Sequence, residues 1–260
     1  GVITHLTDAP LEAGSAVEGV LDMEHRLDSM QQHSGEHILS GILHRMFGCE
    51  NVGFHIGQEE TTLDTSLPIP PEGLAAAEAE ANRIVWADLP VQAEYPAPEV
   101  LATLTYRSKK AIDGAVRIVT IPGADCCACC GTHVLRSGQV GLVKFLSVQK
   151  FREGVRIELL CGKRALEYLS KTWEQAKAIG QRLSVKPVDS DAAVERLEGE
   201  LTSLKLRCAQ LEESVFESMA KEQAGKGNVL LFQPAMRPDS VRRLMDAVSK
   251  TCGGLAAVFA

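Results

Sequence analysis

Two short pairs of residues constrain the fold of this chain more than any other feature of its sequence. His33 and His37 stand four positions apart in a segment predicted to be helical, and Cys129 and His133 have the same separation. Residues four apart on a helix share one face, with Cβ atoms roughly 5–6 Å apart. Two imidazole nitrogens at roughly 2.0–2.1 Å can then share one cation. If both pairs bind one ion, the chain must bring together segments that are about 90 residues apart.

Thiolate and imidazole together are typical zinc ligands. We therefore predict a Zn²⁺ site at four residues, called here the ligand cluster: His33, His37, Cys129 and His133. Three other interpretations stay open. Cys126 and Cys129 form a CxxC pair, so Cys126 could be the sulfur ligand. The histidines could be a hydrogen-bonded core pair beside a structural cysteine cluster. Residues 33–37 also match H-x-x-E-H, where Glu36 would be the general base of an inverted zinc protease.

The cysteines indicate a reducing compartment. Eight are present, and four of them crowd into positions 126–130. Neighbouring cysteines rarely pair with each other, and residues 1–10 lack the basic start and apolar run of a secretory signal. We therefore expect reduced thiols and a cytoplasmic protein. No stretch approaches the ~18 apolar residues of a membrane span, so we expect no membrane partner.

Charge is unevenly distributed along the chain. Residues 103–186 carry 15 Lys and Arg against 6 Asp and Glu, whereas residues 1–102 carry 3 against 17. A basic segment in a chain of net charge −7 indicates a local site for a polyanion. The other interpretation is that these cations only solvate strand and helix surfaces, and charge alone does not separate the two.

The order of elements predicts an α+β fold. A capping box that starts at Ser29 predicts a helix over 29–47, ended by Gly48. Strands are predicted near 52–56, 61–66, 91–95 and 115–121, helices near 72–88 and 98–104, and a hairpin at 140–149 and 155–160. Residues 1–25 look like the end of an earlier β-rich piece, and residues 26–165 are predicted to form the zinc-containing domain.

Helices dominate after residue 165. One is predicted over 162–184 and a second over 189–223. In the second, seven apolar residues recur at alternating steps of three and four, and we call them the heptad seam: Val194, Leu197, Leu201, Leu204, Cys208, Leu211 and Val215. Such a seam is typical of a coiled coil, in which case two copies of the chain would form a homodimer. It is equally typical of an antiparallel hairpin with the helix predicted over 162–184. We assign 166–226 as a helical linker and 227–260 as a truncated, partial α/β domain.

At these residues the sequence resembles the alanyl-tRNA editing family, which comprises the editing domain of alanyl-tRNA synthetase and the free-standing AlaX proteins. Residues 30–40 (MQQHSGEHILS) resemble the family's HxxxH helix, and residues 53–57 (GFHIG) resemble the strand after it. Residues 129–134 (CCGTHV) resemble its CGGTHV loop, with Cys130 where the family usually has Gly, and residues 154–162 resemble the closing strand. Threonyl-tRNA synthetase has a related editing fold, but typically with Pro at the position of Thr132, so the alanine type is favoured.

The resemblance covers residues 20–165 well. The later helical segment, with Cys252-Gly253-Gly254, resembles the DHH-associated C-terminal domain of long AlaX proteins. The family's Gly-rich segment ahead of the HxxxH helix is missing, so we expect the sequence to begin partway through the protein.

The resemblance implies the editing fold of the second additional domain of alanyl- and threonyl-tRNA synthetases. It also implies zinc-dependent hydrolysis of the ester that joins serine or glycine to tRNA(Ala), with catalysis at His33, His37 and Cys129. The residues expected to bind the substrate are Thr132, Phe54, His55 and Gln32. The cations expected to contact tRNA phosphates, which position the tRNA, are Arg107, Lys109, Lys110, Lys150, Arg152 and Arg156.

Two further interpretations remain. Four protein ligands ordinarily indicate a structural zinc ion, so the domain could bind tRNA without hydrolysing it. The chain could also be the editing part of a full alanyl-tRNA synthetase, which would leave the chemistry unchanged.

Overall fold

The computed structural model describes residues 4–108 and 114–260. The chain divides into two compact units, Gly1–Thr172 and Trp173–Ala260, and each contains both helices and strands, so the α+β class is confirmed. Lys109 and Lys110, two of the expected tRNA contacts, lie outside the described residues. Among the described residues, none of the helices is both long enough and apolar enough to span a bilayer.

The first unit holds most of the elements. In chain order they are α1 (Met23–Phe47), β1 (Asn51–Ile56), β2 (Thr61–Thr65), α2 (Pro71–Trp86), β3 (Gln92–Glu94), α3 (Pro98–Leu101), β4 (Ile118–Ile121), β5 (Asp125–Ala128), β6 (Val143–Phe151), β7 (Gly154–Cys161) and the start of α4 (Gly162–Leu183). They form an antiparallel sheet in the order β1-β2-β7-β6 and a second antiparallel sheet in the order β3-β4-β5.

Helix α1 begins earlier than its sequence predicts. Asp22, not Ser29, is the N-cap, because its carboxylate accepts the free main-chain N–H of His25 at 3.0 Å. The helix ends where predicted, at Gly48, which takes the left-handed conformation with φ 63°. The extra residues add a turn and a half of helix before the two histidines.

Helix α1 also lies against both sheets. Gly35 packs against the side chain of Cys161 at the end of β7, and Gly41 packs against the backbone of Ala124 at the turn between β4 and β5. A Cβ at either glycine would overlap those atoms, so the missing side chains permit the close approach. The apolar side of α1 thereby closes the core of the first unit.

The β-rich piece expected before residue 25 has no counterpart among residues 4–22. Residues 4–22, all of which the structure describes, contain no helix or strand, and their side chains are exposed. A strand needs a partner for its main-chain groups, and no described segment pairs with this one.

The second unit continues α4 and adds α5 (Ser190–Glu222), β8 (Gly227–Phe232), α6 (Pro238–Ser249) and β9 (Gly253–Phe259). Strands β8 and β9 pair in parallel and are connected through α6, which gives a βαβ arrangement. Helix α5 contributes only its last turns to the core of this unit, through Phe216 and Ala220. The heptad seam of α5 is exposed along its length, so an antiparallel hairpin that buries it does not form.

Candidate metal centre

The residues of the ligand cluster come from two parts of the first unit. Helix α1 supplies His33 and His37 from one face, and the segment that follows β5 supplies Cys129 and His133. One ligand atom from each residue lies within 4.8 Å of all the others. The three imidazole rings are packed together, with centroids 4.3–4.9 Å apart. The fold therefore brings together the two pairs that the sequence predicted to share one ion, and these four residues could hold a metal.

Hydrogen bonds at Nδ1 orient the two helical histidines. Nδ1 of His33 lies 3.1 Å from the main-chain oxygen of Thr132, and Nδ1 of His37 lies 2.9 Å from Oδ2 of Asp125. A carbonyl or carboxylate oxygen can only accept, so Nδ1 carries the proton in both rings. In the neutral rings the lone pair is then on Nε2, the nitrogen left for an ion.

The third imidazole has a buried nitrogen without a partner. Nδ1 of His133 lies 3.2 Å from Oγ of Ser34, which also accepts the main-chain N–H of Val134 at 3.1 Å. Nε2 of His133 is buried and makes no hydrogen bond. An unsatisfied buried polar atom costs about 1–3 kcal/mol, a cost that a bound cation would remove. One sulfur and three imidazole nitrogens are also a donor set that suits zinc.

The sulfur of the cluster belongs to Cys129 and not to Cys126. Sγ of Cys129 lies 3.5 Å from Nε2 of His33 and accepts the main-chain N–H of Gly131 at 3.3 Å. Cys126 instead accepts a hydrogen bond from the hydroxyl of Thr120 at 3.6 Å and lies outside the cluster. The CxxC alternative is therefore not the arrangement that the fold produces.

The loop that carries Cys129 passes close to the helix. A Cβ at Gly131 would overlap the ring of His33, so the loop can reach that ring only because this residue is glycine. The preceding residue, Cys130, stands where the resembling family usually has Gly, and its side chain is exposed. The substitution therefore leaves the packing of the loop unobstructed.

The charges of the site favour a thiolate beside an imidazolium in the metal-free protein. Burial raises the pKa of Cys129, but the neighbouring side chains of His133, His33 and His37 outweigh burial and lower the pKa to about 3. Burial lowers the pKa of His37, whereas hydrogen bonds to Asp125 and Cys129 raise it to about 9. At neutral pH the cluster thus already holds the deprotonated sulfur that a metal requires.

A second group of potential ligands overlaps the first. His37, Asp125 and Cys127 also lie within ligand distance of one another, and all three are buried. Burial and the charge of Asp125 raise the pKa of Cys127 to about 12, so its thiol stays protonated and is a poor ligand. Asp125 contacts Nδ1 of His37, so it serves the cluster as an orienting group.

Arg107 lies beside the ligand cluster and is mostly buried. Its Nε donates to Oδ1 of Asp125 at 2.8 Å, and a terminal nitrogen donates to Oδ2 at 2.9 Å. The side chain is only 12% exposed. The expectation that Arg107 contacts tRNA phosphate is therefore corrected, because its guanidinium is occupied by a buried carboxylate.

Glu36 is part of a buried polar group next to His37. Oε1 accepts the hydroxyl of Ser40 at 2.5 Å and the side-chain amide of Asn51, while Oε2 lies 3.9 Å from Nε2 of His37. The inverted zinc-protease interpretation would leave Cys129 and His133 without a purpose. The geometry of the four-residue cluster accounts for both.

Gln32 has a structural position. Its side chain is fully buried, and its amide nitrogen donates to the main-chain oxygen of Cys161 at 2.9 Å while its amide oxygen accepts the N–H of the same residue at 2.9 Å. These bonds fasten α1 to the end of β7. The expectation that Gln32 binds substrate is corrected, because both polar groups of its side chain are used in the core.

The other expected substrate residues lie in different places. Phe54 stacks on His33 with ring centroids 6.1 Å apart, at the edge of the cluster. Successive strand residues point to opposite faces, so His55 faces away from Phe54 and is exposed on the other side of the sheet. His55 is thus not brought to the cluster. Thr132 is exposed beside the cluster, and its carbonyl contacts His33.

The remaining expected tRNA contacts cluster at the turn between β6 and β7. Lys150 and Arg152 are exposed there and line a cavity of about 950 Å³. Arg156 is ion-paired with Asp64 through two bonds of 2.7 and 2.8 Å, and its guanidinium lies 4.0 Å from the centroid of the Phe151 ring. Lys150 and Arg152 are thus better placed than Arg156 to meet a polyanion.

Three residues contact the ligand cluster or its neighbours in roles that were not predicted: Asp125, Ser34 and Arg107. Asp125 immediately precedes the cysteine cluster, which was a weak local signal. The Ser34 and Asp125 contacts join residues 99 and 88 positions apart. Such pairs leave no periodic pattern in one sequence.

Comparison with known proteins agrees with the site. The family of the threonyl and alanyl tRNA synthetase second additional domain matches residues 116–158. The alanine–tRNA ligase of Thermofilum pendens is 34% identical over 225 residues, which are 83% of this chain and 24% of that protein. The alanyl-tRNA editing protein AlaX-L of Pyrococcus horikoshii is 31% identical over 225 residues, 83% of this chain and 55% of that protein.

A relative from a mammal is similar to the same degree. The alanyl-tRNA editing protein Aarsd1 of Mus musculus is 30% identical over 199 residues, 75% of this chain and 48% of that protein. The chain thus spans about half the length of the two editing proteins and about a quarter of the ligase.

Proposed function

Because the chain belongs to the alanyl-tRNA editing family, we propose that it hydrolyses the ester of tRNA(Ala) mischarged with serine or glycine. The proposal places the reaction at a zinc ion held by the ligand cluster. The observation that carries it is the meeting of three imidazoles and one thiolate, from two distant segments, within 4.8 Å in a unit that contains the matched domain. Bound zinc would supply Lewis acidity for the attack of water on the ester.

The residues around the cluster support binding of an aminoacyl ester. Phe54 covers one side of His33, and Thr132 is exposed beside the same ring. In the proposal the hydroxyl of Thr132 pairs with the hydroxyl of serine. Alanine lacks that hydroxyl and would leave the threonine unpaired, so the site would favour the seryl ester. Lys150 and Arg152 would contact phosphates and position the tRNA without reading its sequence.

The proposal has two further parts. The thiol-rich site suits a reducing compartment, so we place the activity in the cytoplasm. The exposed heptad seam of α5 suits pairing with a second copy of the chain, so we place the protein in a homodimer.

The test is release of labelled serine from seryl-tRNA(Ala), with alanyl-tRNA(Ala) run beside it. Wild type should release serine and spare alanine, because only serine pairs with the site. The His33→Ala/His37→Ala variant should lose both the release and the zinc. His25→Ala/His44→Ala is the matched control, since these two histidines lie on the same helix and are exposed. A folded, zinc-loaded wild type that releases no serine would contradict the proposal.

A second candidate function follows from the number of ligands. Four protein ligands favour a structural ion, so the domain would bind tRNA without cleaving the ester. Cys129→Ala separates the two functions. Loss of hydrolysis with zinc and fold retained supports the enzyme, whereas unfolding on metal removal, with no turnover by intact protein, supports the binding module.

A further inference from the structure

We propose that Arg107 is a positioning residue of the metal centre, which holds Asp125 so that His37 presents Nε2 to the ion. The inference rests on the proposed zinc site but not on the proposed reaction. Arg107 touches neither substrate nor metal in this scheme. Its effect would be on how tightly and in what geometry the protein binds zinc.

A continuous chain of short contacts connects Arg107 to the ligand. Two guanidinium nitrogens donate to the two oxygens of Asp125 at 2.8 and 2.9 Å, and Oδ2 of Asp125 lies 2.9 Å from Nδ1 of His37. A bidentate pair fixes the plane of the carboxylate as well as its position. The carboxylate therefore cannot turn away from the imidazole without breaking two charge-assisted bonds.

Burial makes the arginine necessary to this arrangement. The side chains of Asp125 and His37 are 1% and 5% exposed, and that of Arg107 is 12% exposed. A buried carboxylate without a cation would be strongly disfavoured. With zinc bound, His37 is neutral, so Arg107 is then the positive group that directly pairs with Asp125.

The main chain of Arg107 is also tied to the loop that carries the sulfur ligand. Its N–H donates to the oxygen of Cys126 at 2.8 Å, and its oxygen accepts the N–H of Ala128 at 2.9 Å. Ala128, which donates the second of these hydrogen bonds, immediately precedes Cys129. Arg107 thereby connects a ligand of α1 with the strand that leads to the other pair.

The chain contains a matched pair for comparison. Arg156 binds Asp64 with the same bidentate geometry, at 2.7 and 2.8 Å, but on strands β7 and β2 and without contact to a ligand. A merely structural role predicts that loss of either arginine affects stability and leaves zinc binding alone. A positioning role predicts that only Arg107 affects zinc binding.

The experiment is a chelator competition that gives the zinc dissociation constant of wild type, Arg107→Met, Arg107→Lys and Arg156→Met. Loss of a partner behind a metal-binding histidine typically weakens metal binding 10–100-fold, which is the expectation for Arg107→Met. The zinc dissociation constant of Arg107→Lys should lie between those of wild type and Arg107→Met. A lysine ammonium keeps the positive charge but cannot donate two parallel hydrogen bonds to the carboxylate as a guanidinium does. Arg156→Met should bind zinc within about twofold of wild type, because Arg156 pairs with Asp64, which does not belong to the ligand cluster.

A spectroscopic readout keeps the test independent of activity. The visible bands of the Co²⁺-substituted protein report ligand geometry, and they should change in Arg107→Met and not in Arg156→Met. Circular dichroism checks that each variant folds. If Arg107→Met does not fold, the zinc affinity and cobalt bands of Arg107→Lys test the inference instead. Unchanged zinc affinity and unchanged cobalt bands in a folded Arg107 variant would overturn the inference. Wild type that binds zinc without hydrolysing the ester would contradict the proposed function and leave this inference standing.

Discussion

Cys129 owes its charge to the three imidazoles around it. Burial alone would keep the thiol protonated, but the neighbouring histidine side chains lower its pKa to about 3. An ordinary thiol has a pKa near 8.5. Metal-free protein should therefore contain the Cys129 thiolate throughout pH 5–8, because this whole range lies above the lowered pKa.

The check is the ultraviolet absorbance of the thiolate, measured as the difference between metal-free wild type and Cys129→Ala from pH 5 to pH 8. The difference should correspond to one thiolate and stay constant across the range. Cys130→Ala is the control, since its exposed side chain lies outside the cluster. A difference that is absent at pH 5 and appears only near pH 8 would show that Cys129 titrates as an ordinary thiol.

The grouping of the four residues of the ligand cluster was predictable from the sequence, whereas the contacts of the residues around them were not. The sequence signal is local, because it consists of two pairs of metal-binding residue types. The members of each pair are four positions apart: His33 with His37, and Cys129 with His133. Ser34, Asp125 and Arg107 are common residues whose role comes from contacts over long sequence separations. Gln32, a polar residue that precedes His33, was predicted to bind substrate. Its side chain instead forms two hydrogen bonds with the main chain of Cys161 in β7.

At the scale of elements, the position of α1 depends on close approach to the turn between β4 and β5. The site needs both parts at a fixed separation, since α1 carries one pair of ligands and the segment after β5 carries the other. Gly41→Ala places a Cβ into the backbone of Ala124, so we expect the first unit to lose about 1–3 kcal/mol of unfolding free energy. Urea unfolding at saturating zinc measures the loss.

Gly199→Ala is the matched control for that substitution. Gly199 is also inside a helix, but a Cβ there meets nothing within 4 Å. Alanine is the better helix former, so this variant should be unchanged or more stable by up to about 1 kcal/mol. Equal stability of wild type and Gly41→Ala would show that the helix can move away from the turn without cost.

The elements themselves were largely predictable. Turn glycines and hydrophobic spacing located most strands and helices of the described chain to within a few residues, but not β5. Two other differences have clear physical causes. Asp22 offers an acceptor to a free amide, which extends α1 past the apparent capping box at Ser29. The apolar residues among residues 4–22 have no partner strand in the described chain, so they form no sheet there.

At the scale of the whole molecule, the exposed heptad seam is the surface that we propose for self-association. We expect the full chain to form dimers and Leu204→Glu to weaken them at least tenfold, because a carboxylate in the seam would be buried against a second helix. Sedimentation equilibrium gives the dissociation constant. Leu206 is the matched control, because it is 61% exposed but lies outside the seam, on the other side of α5.

Leu206→Glu should leave the dimer unchanged, and removal of residues 188–260 should yield a monomer. Dimers that persist in both Leu204→Glu and the shortened chain would place the interface elsewhere. A monomeric wild type would show that the seam does not pair. The sequence predicted the seam from its spacing, but only the structure shows that its side chains are exposed within one chain.

The donor atoms of the ligand cluster bear on which ions can compete at the site. A nucleic acid carries a dense layer of condensed counterions, and a protein that binds one works within that layer. Magnesium prefers oxygen ligands, whereas three imidazole nitrogens and one sulfur suit softer cations. If the chain binds zinc and tRNA as proposed, the composition of the cluster would let the protein retain a scarce ion beside a surface crowded with abundant ones.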